Sequence, residues 1–175
     1  MRRLILLRHA KSDWSEPAKR DHDRPLNPRG RAAAPRIGRY MAENGLLPDR
    51  VAVSPSLRTR QTFALVAQAF ARAPAENLDP RIYEAAPDTL LALIREAPEA
   101  ARTLLVVGHN PGLHELALAL VDPGDGDAHA RLHDKMPTGA LAVIDFPAGN
   151  WRGIRPGTGR LERFVTPRSL AEPAA

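Results

Sequence analysis

Residues 4–10 read LILLRHA. Leu4 to Leu7 run without a polar interruption, the pattern of a strand buried on both faces of a sheet. That run then ends on Arg8 and His9, two groups that carry or can carry positive charge. Two other stretches end in a similar way. Residues 103–109, TLLVVGH, lead an apolar run through Gly108 into His109, and residues 50–58, RVAVSPSLR, lead through Ser54, Pro55 and Ser56 to Arg58. Strands are therefore expected at Arg3–Leu7, Arg50–Val53 and Thr103–Val107, with others at Arg81–Tyr83, Ala140–Phe146 and Leu161–Val165. Helical patterns between them predict parallel strands joined by crossover helices, an α/β fold.

Four helices can be placed. The first is expected from Asn27, a good N-cap, and Pro28, suited to the first turn, to about Asn44, with Gly45 as its stop and Pro35 as a kink or delayed start. The second opens at Ser54-Pro55, read as N-cap and first position. The third runs through residues 88–98, DTLLALIREAP, with Asp88 as N-cap. The fourth opens at Asn110-Pro111, again N-cap and first position. Residues 122–139 are turn-rich and read as a long loop with at most one helical turn. The expected organisation is one domain over residues 1–166 and a frayed tail over 167–175.

Composition narrows the classes. At 175 residues, 43% apolar and 26% charged, the chain is an ordinary globular domain with room for a full core. It has no cysteine, which excludes disulfides, thiol catalysis and thiolate metal sites. The apolar run after Met1 is too short for a signal peptide, and no stretch is long enough to span a membrane. A soluble, cytoplasmic protein is expected. The net charge of +5 favours anionic partners. Nucleic acid and membrane partners are not expected: the arginines are scattered, and four Phe, two Tyr and two Trp offer few stacking platforms.

In open α/β sheets ligands bind where parallel strands end and helices begin, and helix N-termini there favour anions. Arg8, His9, Arg58 and His109 would share one such edge, a constellation suited to a phosphate group.

LLRHA, SPSLRTRQT and VVGHNP, in that order, resemble the histidine phosphatase superfamily, the group of phosphoglycerate mutases, acid phosphatases and SixA-type phosphohistidine phosphatases. Ala10 stands where the superfamily commonly has Gly, a form associated with SixA-like members. DHDRPLNPRG, YEAAPDTLL and MPTGALAVIDF extend the resemblance over about residues 2–147. It implies a three-layer α/β/α sandwich, phosphoglycerate mutase-like, and a phosphatase needing neither metal nor other cofactor. His9 would be the nucleophile, its tautomer fixed by a backbone carbonyl, with Arg8, Arg58 and His109 holding the phosphoryl oxygens. Glu84 best resembles the general acid, and reads equally well as a loop carboxylate paired with an arginine. Ser15 and Lys11 are candidate substrate contacts. They also stand where mutase-like members carry other residues, which argues against a sugar-phosphate mutase.

Phosphohistidine on a protein is the preferred substrate, with small phosphate esters or a non-catalytic phosphate- or nucleic-acid-binding role as alternatives. Asn110 reads as a helix cap, and Asp21 with Arg24 as a local ion pair. His129 and His133, four apart, lack a third metal ligand.

Overall fold

The computed structural model describes residues 1–171. Its strands are β1 (Arg2–Arg8), β2 (Arg50–Val53), β3 (Glu76–Leu78), β4 (Thr103–Gly108), β5 (Leu141–Phe146) and β6 (Arg160–Val165). They form one sheet in the order β3-β2-β4-β1-β5-β6. Neighbours among β3, β2, β4 and β1 pair in parallel, β5 runs against β1, and β6 runs against β5. Only β5 therefore opposes the common direction, as a mainly parallel sheet requires.

The helices are α1 (Pro28–Glu43), α2 (Leu57–Ala67), α3 (Pro87–Arg95), α4 (Gly112–Leu120), α5 (Asp127–Asp134) and α6 (Pro167–Ala171). Alternate residues of β1 enter opposite cores, because strand side chains alternate faces. Leu4 and Leu6 pack with Leu90 and Ile94 of α3 and Leu113 and Leu116 of α4. Ile5 and Leu7 pack with Ile37 and Met41 of α1 and Phe63 and Val66 of α2. All four β1 residues are wholly buried, which explains the uninterrupted apolar run. The result is an α/β/α sandwich.

Several local expectations need correction. Arg81–Tyr83 is not a strand. Residues Pro80–Ile82 form a 3-10 turn, because Pro80 has no N–H to give a sheet and the Asp79 carboxylate accepts from the Arg81 N–H. The short edge strand lies earlier, at Glu76–Leu78, with all three residues exposed. Residue 54 does not cap α2. That helix starts at Leu57, with Ser56 at the N-cap and its hydroxyl 2.6 Å from that of Thr59. Likewise α4 starts at Gly112, one turn position later than Asn110-Pro111 would give. In α3 the N-cap is Ala86, and Asp88 sits in the first turn, where its charge favours the helix dipole.

The α1 reading holds. The Asn27 side chain accepts from the Gly30 N–H at 2.9 Å, and the helix continues through Pro35 to Glu43. The turn-rich segment 122–139 contains the eight-residue helix α5, more than the single turn expected. Of the tail expected to fray, Pro167–Ala171 form α6, with reciprocal side-chain to backbone bonds between Thr166 and Ser169 at its start. Residues 172–175 lie outside the described residues. No helix among the described residues is long and apolar enough to cross a membrane.

Candidate active site

The site follows from the sheet register. β1 and β4 run in parallel with Arg8 opposite Gly108, so His9 and His109 leave the same sheet edge side by side. Their ring centroids are 5.4 Å apart. β2 flanks β4, and the Ser54 N–H donates to the Val107 carbonyl, which brings residue 54 alongside His109. Arg58 stands in the first turn of α2, and its Nη2 donates to His109 Nδ1 at 3.3 Å.

His9 is held on both sides. Its Nδ1 lies 2.7 Å from the Ala10 carbonyl oxygen. The Ala10 N–H donates to Thr62 Oγ1, which in turn donates to the Arg58 carbonyl. Gly139, at φ +77°, turns the chain so that its N–H reaches the carbonyls of both His9 and Arg8. Burial pushes the His9 imidazole down from 6.5 to about 4. The Ala10 hydrogen bond opposes that fall, while Arg58 and Arg8 add to it. The ring is thus neutral at pH 7, Nδ1–H donates to Ala10, and the lone pair is on Nε2.

His109 is lowered further, to about 3, first by burial and then by His9 and Arg58. A neutral ring that accepts from Arg58 at Nδ1 must carry its proton on Nε2. That nitrogen lies 2.7 Å from Ser54 Oγ, so Nε2–H donates to the hydroxyl. Arg8 is half-buried; its Nη1 donates to the Met136 carbonyl at 3.1 Å and its buried Nε has no acceptor. Burial, then the neighbouring Arg58, destabilises its charge. A cation so placed gains from an arriving anion.

Asp21, expected only as a partner of Arg24, organises more than that. It does bond Arg24, and it also takes Arg58 Nη2 on its carboxylate at 3.1 Å and Arg58 Nη1 on its carbonyl at 2.8 Å. Tyr83 Oη donates to the same carboxylate. Partial burial works against the Asp21 charge, but the Tyr83 hydrogen bond and the two guanidiniums outweigh it and hold the carboxyl below its ordinary value. The Tyr83 ring meets His109 edge-on at 5.4 Å. Burial, then Asp21, raises the Tyr83 phenol to about 12.

Asp21, Arg58 and His109 share a cleft of about 550 Å³ with Glu84 and Asn110. Glu84 is exposed on its wall, in the left-handed region at φ +54°. Such a conformation is uncommon outside Gly, Asn and Asp. No ion pair ties Glu84 to an arginine among the described residues. Asn110 is no cap: its Nδ2 donates to the Met136 carbonyl that also receives Arg8.

Ser15 is exposed, and its N–H donates to the Asp13 carboxylate. Lys11 is exposed and lines a different cleft. His129 lies 3.6 Å from Asp122, and no group of three His, Cys, Asp or Glu among the described residues is disposed to hold a metal. Ser54 and Tyr83 escaped the sequence reading. Ser54 looked like a cap, and Tyr83 lies 62 residues from its partner Asp21, beyond any local pattern.

A neutral imidazole with a free lone pair, beside two guanidiniums at the ends of parallel strands, is arranged for chemistry on an oxyanion such as a phosphoryl group. The chain is similar to known proteins. Residues 4–90 match the family profile of the histidine phosphatase superfamily (branch 1). The candidate phosphohistidine phosphatase SixA from Agrobacterium tumefaciens is 33% identical with TM-score 0.80, covering 94% of this chain and 97% of that one. The candidate SixA from Nakamurella multipartitia is 31% identical, also with TM-score 0.80, covering 95% and 96%. Uncharacterized protein Rv1276c of Mycobacterium tuberculosis is 38% identical over 164 residues, 93% of this chain and all of that one. The chain belongs to the histidine phosphatase superfamily and is SixA-like, a phosphatase on the phosphoglycerate mutase-like fold.

Proposed function

We propose that the protein hydrolyses phosphohistidine on a protein substrate, in the cytoplasm, through a transient phosphoryl group on His9. The observation that carries this is the 2.7 Å contact between His9 Nδ1 and the Ala10 carbonyl in a buried ring. It fixes the proton on Nδ1 and leaves the Nε2 lone pair for phosphorus. The Nε2–P bond forms as the bond from phosphorus to the leaving group breaks. Water then attacks phosphorus, the Nε2–P bond breaks, and phosphate and neutral His9 remain. Arg8 and Arg58 offset the charge on the phosphoryl oxygens, with His109 beside them. The reading assigns no step to a metal or other cofactor.

The substrate assignment rests on leaving-group chemistry. An alkoxide needs a proton from an acid, whereas a phosphohistidine ring protonated on its other nitrogen departs as a neutral imidazole. Glu84 is the acid for ester substrates in this reading. The likeness to the two candidate SixA phosphohistidine phosphatases supports the same substrate class.

Brief incubation with a radiolabelled phosphoryl donor tests the intermediate. An acid-labile, alkali-stable label is expected on wild type and absent in His9→Ala. Wild type that turns over without any label under rapid quench would overturn the covalent step. Hydrolysis of aryl and sugar phosphates but not of phosphohistidine would overturn the substrate.

A further inference from the structure

A second cleft, of about 480 Å³, opens next to the segment that carries His9. Its walls include Lys11, Arg29, Arg36, Thr138, Thr166 and Arg168, and no acidic side chain lines it among the described residues. Arg29, Ala33 and Arg36 lie at i, i+4 and i+7 along α1, so they share one helix face. None of Lys11, Arg29 and Arg36 has an ion-pair partner among the described residues. Arg36 is half-buried, and its sealed Nε lacks an acceptor. Crowding cations that repel one another without a counter-charge works against folding, so such a group is better explained by an anion that comes from outside.

The cleft is also tied to the catalytic segment. Lys11 is two residues from His9. Gly30 of α1 packs so closely on Lys11 that an added Cβ would lie 2.2 Å from the Lys11 carbonyl oxygen. On the far wall, Thr138 precedes Gly139, whose N–H holds the His9 carbonyl at 2.9 Å. The cleft shares no wall residue with the one that holds Arg58 and His109, but it borders the backbone on both sides of His9, through Lys11 and through Thr138-Gly139. Its volume exceeds what one phosphate needs, and its cations come from separate elements, which suits several carboxylates along an extended segment.

We infer that the Arg29–Arg36 cleft docks an acidic stretch of the phosphorylated protein substrate. The inference rests on the phosphohistidine reading and names how that substrate is recognised. Electrostatic docking of this kind acts on encounter and affinity rather than on the bond-breaking step.

The test uses two synthetic phosphohistidine peptides, one flanked by glutamates and one by serines, with phosphoramidate as a small substrate. Wild type is expected to favour the acidic peptide in kcat/KM by about tenfold, through KM, with the preference shrinking as salt screens it. Arg29→Gln/Arg36→Gln is expected to lose that preference and to keep phosphoramidate hydrolysis within about twofold, which also shows that it folds. Equal kcat/KM on both peptides in wild type, or an unchanged preference in the double variant, overturns docking and leaves the phosphohistidine reading standing. Loss of phosphoramidate hydrolysis in parallel with the peptides also overturns docking. Failure of wild type on both peptides, with esters still hydrolysed, overturns the phosphohistidine reading and docking with it.

Discussion

Asp21 grips Arg58 with two different groups, its carbonyl oxygen at 2.8 Å and its carboxylate at 3.1 Å. Two contacts from one residue fix both the position and the rotation of the guanidinium. The pair spans 37 residues, from the loop before α1 to the first turn of α2. Because the same guanidinium donates to His109, the orientation of the second imidazole depends on a carboxylate that need not touch the substrate itself.

Asp21→Asn keeps the shape and removes the charge. Positioning of Arg58 should suffer, and kcat/KM should fall by about 10–100-fold. A readout specific to this role is Tyr83, whose phenol Asp21 helps to raise. An alkaline ultraviolet titration, with Tyr83→Phe subtracted to isolate the signal, should show Tyr83 ionising at lower pH in Asp21→Asn. An unchanged Tyr83 titration would show that the carboxylate charge does not govern this corner of the site.

The two imidazoles set the response to acid. Both native values lie below the ordinary 6.5, at about 4 for His9 and about 3 for His109. As pH falls below 6.5 the unfolded chain takes up these protons and the native protein does not. Stability from the pair is thus full above pH 6.5 and is lost as pH falls towards 3–4. Taken alone, the two histidines correspond to roughly 3 and 5 kcal/mol, and together to less than the sum because adjacent rings titrate as a pair. Urea unfolding between pH 7 and pH 4 should show the loss, reduced in His109→Gln. The acid limb of kcat/KM should fall near pH 4 rather than near 6.5, once titration of the substrate phosphate is accounted for.

Much of this was legible from residues alone. Continuous apolar runs at β1 and β4 gave two buried strands, and the residues that end them, Arg8 with His9 and His109 after Gly108, gave the sheet edge that bears both histidines. The Arg81–Tyr83 segment misled because Ile82 and Tyr83 carry β propensity while the nearby Asp79-Pro80 pair settles the local backbone. The caps at Ser54 and Asn110 misled because their side chains serve tertiary partners, His109 and Met136. Local pattern cannot distinguish a serine that caps its own helix from one that holds a side chain 55 residues away. The role of Asp21 was hidden for the same reason.

In the proposed mechanism, Glu84 distinguishes two kinds of leaving group. If it supplies a proton to a departing alkoxide or phenoxide, Glu84→Gln should lower kcat for an alkyl phosphate by about 100-fold or more, with less effect on an activated aryl ester. Phosphohistidine hydrolysis should stay within a few-fold of wild type. Equal losses on both substrates would remove the leaving-group distinction. Glu84→Gly offers a separate check: at φ +54° glycine relieves backbone strain, so the fold should keep or gain stability while ester hydrolysis falls.

Ser54 supports the second imidazole from below. It is wholly buried, and its Oγ is the acceptor for His109 Nε2–H. Ser54→Ala removes that acceptor from a site water does not readily reach, which should destabilise the protein by about 1–3 kcal/mol. Proton placement on His109 should change as well. In wild type, nitrogen-15 imidazole shifts should report a proton on Nε2 and an acceptor at Nδ1, the tautomer set jointly by Ser54 and Arg58. In Ser54→Ala the constraint at Nε2 is gone, and the ring should populate a second orientation while His9, held separately by Ala10, keeps its proton on Nδ1. Under the proposed mechanism, turnover should fall through kcat by about tenfold, because His9 would remain as nucleophile and only His109, beside the phosphoryl oxygens, would be loosened. A normal His109 spectrum with lowered stability would assign Ser54 to packing alone.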